Sequence, residues 1–242
     1  MRATSIIYKR EVASYFLSPV GYIIAAIMLL VCGVLFQSMA LGAGKKLSAD
    51  VLSMFFNVCS STTMIAGLAL TVWQLTEERS QHTIVLLNTS PVKDYEIILG
   101  KFLAAFTFLT FITLLSIYMP LLIMVRGKIT MAQVIVGYAG LLLAGGTALS
   151  IGLFASSLSR HLLVAIVVGA CILGILVLLY PLAKNMDSPI KEVLQNIDLW
   201  WVHFQQGFMR GILNLKDVVF YMAMIYFFLL LATKTLEAKR WQ

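Results

Sequence analysis

Charge is scarce in this chain. Only 12% of its 242 residues are Asp, Glu, Lys or Arg, against 60% hydrophobic, and the mean hydropathy is +0.92. A soluble domain carries about 25% charged residues, so this composition cannot cover an ordinary aqueous surface. Proline is also rare, at five residues, which leaves long stretches with nothing to break a helix. The three cysteines, Cys32, Cys59 and Cys171, all fall in apolar stretches without ligand spacing. That pattern argues against a disulfide framework, a metal site or thiol redox chemistry. A phosphate-cradling loop is missing too. Gly44-Lys45 and Gly100-Lys101 are each followed by the wrong residue for a Walker A motif, and neither has the required upstream glycine. The chain is therefore read as a non-enzyme with no catalytic residue, cofactor or metal of its own. Ser150 has no His or acidic partner at membrane depth to activate it.

What the chain has is six apolar stretches free of Asp, Glu, Lys and Arg, at 20–40, 51–75, 102–125, 133–158, 162–183 and 218–233. Each is near the ~20 residues that a helix needs to cross a bilayer. Residues 1–242 read as one all-α integral membrane domain with six transmembrane helices. The first stretch is too long for a signal h-region and is preceded by amphipathic residues, so it is kept as a mature helix. An even number of crossings puts both termini on one side. With termini inside, the inner segments hold ten Lys and Arg against eight outside, a slight bias toward cytoplasmic termini. The net charge of +7 reads as contact with lipid headgroups rather than with nucleic acid.

The connections carry most of the information. In 1–19, Tyr8, Val12 and Tyr15 recur at helical spacing beside Phe16, with Lys9, Arg10 and Glu11 on other faces. This predicts an interfacial helix ended by Ser18-Pro19, serving as a lever or as a passive anchor. The segment 76–98 reads as a charged turn (Glu77, Glu78, Arg79), a short apolar helix (Ile84, Val85, Leu86, Leu87), a break, and a new helix capped by Ser90 with Pro91 first. Apolar residues framed by charge suit docking to another protein, or a piece resting on lipid. In the external segment 184–217, Ile197, Trp201, Phe204 and Phe208 form an aromatic stripe, expected as a shallow amphipathic helix.

The spans add three expectations. None holds an ionisable side chain, so energy for transport has to come from elsewhere. Gly140, Ala144, Ala148, Gly152 and Ser156 recur every four residues in span four, a ridge for close helix packing. Asn57, Ser60 and Ser61 make span two the most polar, as helix-to-helix hydrogen bonds or as the wall of a pathway.

Glu77-Glu78-Arg79, Thr83, Leu86-Leu87, Thr89-Ser90-Pro91 and Gly100-Lys101-Phe102 resemble the stretch between the second and third helices of ABC-2 type transporter permeases. Lys9-Arg10-Glu11, Tyr15-Phe16, Ser18-Pro19 and the closing Leu236-Glu237-Ala238-Lys239-Arg240-Trp241 extend the similarity. The branch it resembles includes gliding-motility-associated and nitrous-oxide-reductase-maturation permeases. The resemblance implies a multi-pass protein of the bacterial inner membrane with both termini cytoplasmic. It implies two copies of an ABC ATPase, which hold the ATP and Mg, docked on a coupling helix at about 83–90. It implies a second permease copy or paralogue, with spans one, two and five near the midline. It also implies a re-entrant external helical segment between helices five and six that covers the exit. On this reading the chain is the permease of an exporter or extruder of an amphipathic or lipid-linked substrate. The alternative is a mechanotransmission or assembly subunit that acts on a periplasmic accessory protein and moves nothing.

Overall fold

The structure, a computed structural model, describes residues 2–38, 48–80, 93–126, 129–184, 186–187 and 190–240. Among the described residues there are α-helices and short helical turns and no strand. The α-helices are α1 (Arg2–Leu17), α2 (Pro19–Phe36), α3 (Ser48–Ser80), α4 (Asp94–Leu115), α5 (Tyr118–Arg126), α6 (Met131–Leu158), α7 (Leu162–Ala183), α8 (Ile190–Ile197) and α9 (Leu215–Arg240). Among the described residues, six segments are long and apolar enough to cross a membrane: Pro19–Phe36, Ser48–Thr76, Asp94–Val125, Met131–Leu158, Leu162–Ala183 and Leu215–Lys239. The chain is an all-α integral membrane protein.

Local chemistry sets the helix ends. Ser18 Oγ accepts from the Val20 amide at 3.2 Å and Pro19 takes the first helical position, so α2 starts at a new angle from α1. The third crossing differs from the sequence reading in two ways. Its helix begins at Asp94 with Lys93 as N-cap, rather than at Pro91 with Ser90 as cap, and it is interrupted at Ser116 and Ile117. Pro120 has no N–H for the Ser116 carbonyl and its ring crowds that turn. Ser116 Oγ instead bonds the Thr113 carbonyl at 2.7 Å and the Tyr138 hydroxyl at 2.9 Å, which steadies the break from inside.

The fourth crossing is the central one. In its most apolar window 72% of residues are buried, against 22% for the first crossing and 11% for the fifth. Small side chains make this possible. Ala144 and Ala148 are fully buried. A Cβ on Gly67 of α3 would sit 3.4 Å from the Ala148 methyl, and Gly152 lies directly under Thr71 and Leu68. Gly140, higher on the same face, meets Phe208 of the segment between α8 and α9. Ser156 Oγ donates to the Val72 carbonyl at 2.8 Å and accepts from the Leu75 and Thr76 amides at 3.0 and 3.1 Å, fastening the end of α6 to α3. Lys239 Nζ, from the last turn of α9, donates to the Ser157 and Leu158 carbonyls at 3.0 and 2.6 Å. A lysine there satisfies orphan carbonyls and the negative end of the α6 dipole together.

Span five carries two pairs of small residues at four-residue spacing, Ala165 with Gly169 and Ala170 with Gly174, and one pair packs. Ala165 is buried and Gly169 lies against Leu68 and Ala155, whereas Ala170 is exposed and Gly174 has no neighbour among the described residues. Cys32 and Cys59 are both buried, and the Cys59 thiol donates to Cys32 at 3.3 Å between spans one and two.

The central position of α6 predicts a graded response to added bulk. Ala148→Leu should lower stability by ~1–3 kcal/mol through overpacking. Ala139→Leu, on a half-buried face, should cost less. Thermal unfolding of the two purified variants in detergent compares them, and equal losses would mean that the small face of α6 is not what sets the packing.

Candidate coupling and pathway site

At the end of the bundle that carries both termini, α1 is not merely laid on a surface. Gly100 leaves room for Ile7, whose Cγ2 would be 2.9 Å from a Cβ at that position. The Tyr15 ring stacks on Phe108 with centroids 5.1 Å apart. The Tyr15 hydroxyl donates to the Leu70 carbonyl at 2.9 Å and accepts from Gln74 Nε2 at 2.7 Å. These contacts turn the same face of α1 toward α3 and α4. Glu11 lies one turn before Tyr15, so it shares that face.

The result is a four-charge node. Lys101 of α4 is 1% exposed, and its ammonium donates to Glu11 Oε1 at 3.1 Å and to Glu78 Oε1 at 2.9 Å. Arg10 closes the set, donating to Glu11 Oε1 at 2.6 Å and to Glu78 Oε1 at 3.1 Å. Among the described side chains, two cations and two anions meet there. Burial opposes ionisation of Glu11, but Lys101 and Arg10 together outweigh it and hold the carboxyl below its ordinary range. Burial pushes the Tyr15 hydroxyl far up, so it stays a neutral donor.

Two expectations change here. Glu11 shares the face of Tyr15 instead of lying on another, and the third span does contain an ionisable residue, because it starts early enough to include Lys101. Sequence reasoning met Gly100-Lys101 as a failed phosphate loop and as part of the family resemblance, not as a partner of the two glutamates. The available signal was a lysine about two turns inside an apolar helix, with one glutamate in the N-terminal helix and one near the end of the second span.

Of the expected docking residues, Glu78 is the one whose side chain is placed, in the node. Glu77 and Arg79 are in the last turn of α3, their side chains outside the described set. Thr83, Ile84, Leu86, Leu87, Ser90 and Pro91 lie outside the described residues. Beside the node is a cavity of ≈ 470 Å³ whose walls include Arg10, Tyr15, Trp73, Gln74 and Lys101.

The three polar residues of span two separate. Ser60 is buried; its hydroxyl donates to the Asn57 carbonyl at 2.8 Å and accepts from Trp200 Nε1 at 2.9 Å. It belongs to the protein interior. Ser61 is exposed and bonds the Asn57 carbonyl at 3.3 Å. Asn57 is half-buried, and its carboxamide has no hydrogen-bond partner among the described residues. Asn57, Ser61, Ile65, Ala69 and Trp73 follow one another at four-residue steps along α3, with Ile65 65% and Trp73 41% exposed. An unpaired amide facing hydrocarbon costs several kcal/mol. This face of α3 is therefore built for contact with protein or water, unlike the wholly apolar exposed face of α7.

At the opposite end, the expected amphipathic stripe is not one helix. α8 stops at Ile197, a π-helical turn covers Trp201–Gln205, a 3-10 turn covers Phe208–Arg210, and Gly211 adopts a left-handed φ of 76°. Asp198 is the reason. Its carboxylate accepts from the Trp200 and Val202 amides at 3.0 and 3.1 Å, from the Trp201 amide, and from the Tyr180 amide of α7 at 3.4 Å. It starts a new turn instead of continuing α8. Burial pushes the Asp198 carboxyl up, against the four backbone donors. Phe204 and Phe208 are fully buried instead of lying in a lipid leaflet, because Gly140 opens a seat for Phe208 on α6. The Tyr221 hydroxyl donates to the Leu199 carbonyl at 2.6 Å and Trp200 reaches Ser60, so this segment caps spans two, four and six.

The described residues contain no group of three His, Cys, Asp or Glu able to hold a metal ion. Comparison with curated protein sequences returns no match. The family model described as ABC-2 type transporter matches residues 2–200. That match takes in α1, the charged node, the open face of α3 and the start of the cap, and the chain belongs to the ABC-2 type transporter family as a multi-pass permease component of an ABC transporter.

Proposed function

We propose that the chain is the permease of an ATP-driven exporter or extruder that moves an amphipathic or lipid-linked substrate, with both termini in the cytoplasm of a bacterial cell. Separate ATPase subunits, two per assembly, supply the ATP and Mg and dock on the segment that follows α3. The narrower assignment to the branch of gliding-motility-associated and nitrous-oxide-reductase-maturation permeases rests on sequence motifs alone.

One observation carries the reading: α3 joins the two parts that such a machine must connect. Its 33 residues make a rod of about 50 Å, longer than the ~30 Å of bilayer hydrocarbon. Its middle presents the open face with Asn57 and Ser61, and its last turn enters the node with Lys101 and Glu11. ATPase closure against 83–90 pushes the end of α3. Because Lys101 cannot be left unpaired in a buried setting, α1 and the start of α4 move with it. The open face of α3 is then reoriented against a second permease copy, alternating access to the space between them.

Labelling at Ser61→Cys tests this in a Cys171→Ser background, since Cys32 and Cys59 are buried and Cys171 is exposed. With the ATPase present, maleimide labelling of Ser61→Cys should change between the nucleotide-free and ATP-trapped states. Val167→Cys, on the exposed face of α7, should react at one low rate in both. Matching, state-independent rates at the two positions would sink the pathway reading.

A further inference from the structure

The cap holds a buried histidine that no part of the transport reading uses. His203 is 1% exposed. Its Nδ1 lies 2.7 Å from Asp217 Oδ1 in the first turn of α9, and its Nε2 lies 3.1 Å from the backbone carbonyl of Asn196 in the last turn of α8. The ring stacks on Phe220 with centroids 3.9 Å apart. Both partners only accept. A neutral imidazole has one N–H, so one of its nitrogens would face an acceptor with a lone pair. A ring protonated on both nitrogens satisfies both contacts and also balances the Asp217 carboxylate, which further accepts from Asn214 Nδ2 at 3.2 Å.

We propose that His203 is the positioning residue of the cap, an imidazolium that ties α8 to α9, and that loss of its proton releases α8. With the proton kept on Nδ1, the Asp217 contact survives and the Asn196 carbonyl loses its donor. That carbonyl lies at the end of α8, just before the Asp198 turn. A second side-chain contact from α9 to α8, Lys216 to Asn196 Oδ1 at 3.3 Å, is exposed, and water competes with it. The other charged or titratable residues on the elements that hold the ring are Asp198 in the turn, Arg210 in the 3-10 turn, Tyr221 and Lys216 on α9, and Lys191 and Glu192 on α8. Asp198 is engaged by four backbone amides, and Tyr221 donates to Leu199. Neither supplies the Asn196 carbonyl with a replacement donor. The proposal rests on the transport reading only for which compartment's pH the latch senses, so its test stands apart from ATPase docking and from transport.

The chain has three histidines, His82, His161 and His203. The His82→Gln, His161→Gln protein therefore reports His203 alone. With ¹⁵N-histidine in lipid nanodiscs, both ring nitrogens should show the protonated signature at about pH 6 and one should lose it on raising the pH. Hydrogen exchange of the amides in 190–197, corrected for the intrinsic rise with pH, should increase roughly ten-fold or more over that same step, the scale of one hydrogen bond to a charged group. In His203→Gln, exchange at 190–197 should be high and free of the step. A neutral single-tautomer signature at about pH 6 overturns the proposal. So does a wild-type exchange profile with no step, whether or not the His203→Gln variant folds.

Discussion

Lys101→Met should detach α1 from the rest of the protein. The ammonium is 1% exposed, and its removal takes the buried cation from between the Glu11 and Glu78 carboxylates, whose other cation among the described side chains, Arg10, is 56% exposed. Removing one partner of a buried ion pair costs about 3–5 kcal/mol. The expected results are a lower thermal unfolding midpoint in detergent and rapid tryptic cleavage at Lys9 and Arg10, which the docked helix shields by its backbone geometry. Adding Glu78→Gln should recover part of the loss, because it removes one of the two carboxylates left facing each other. Unchanged protection of α1 in Lys101→Met would show that Ile7 and Tyr15 hold the helix without the node. The wild-type protein should show the matching pH dependence. The Glu11 carboxyl is held below its ordinary range when folded, so its stabilisation is fully present above the unfolded carboxylate value of about 4.3. It is lost as pH falls through the lower folded value. Acidification should thus release α1, and Glu11→Gln should flatten that acid limb.

Leu86→Asp should abolish ATPase association while leaving the permease inserted. The six crossings do not depend on residue 86, and a carboxylate pressed into an apolar groove costs several kcal/mol. A cost of that size weakens docking by more than about two orders of magnitude. Co-purification in mild detergent reads it as the ratio of ATPase to permease, with His82→Ala as the neighbouring control. A full ratio with Leu86→Asp would place the docking surface elsewhere on the terminal end, the link at Ser159 to His161 being the next candidate.

The node and the cap show where sequence reasoning stops. Ser18-Pro19 announces the start of α2 because capping is local: the hydroxyl and the amide it accepts from are two residues apart. The break before Pro120 went unread in the third span, and its form depends on Tyr138, which supports Ser116 from α6. Asp198 was legible only as a polar residue in an aromatic stripe. That it starts a new turn, and so seats Phe204 and Phe208 in the interior, depends on room made by Gly140 nearly sixty residues earlier in the chain.

By itself the sequence determined the number of crossings, the absence of a phosphate-binding loop and the small-residue face of the fourth span. Each is a property of one continuous stretch: apolar length, a fixed motif spacing, side-chain volume at helical period. Tertiary structure alone decided which charges meet. Lys101 finds Glu11 at a separation of 90 residues and Glu78 at 23, and His203 finds Asp217 at 14, across different helices. No periodicity encodes such pairs. They follow from packing, because once Ile7 fits against Gly100 and Tyr15 against Phe108, the low dielectric between α1, α3 and α4 makes a lone buried charge too costly and leaves those carboxylates as the lysine's partners.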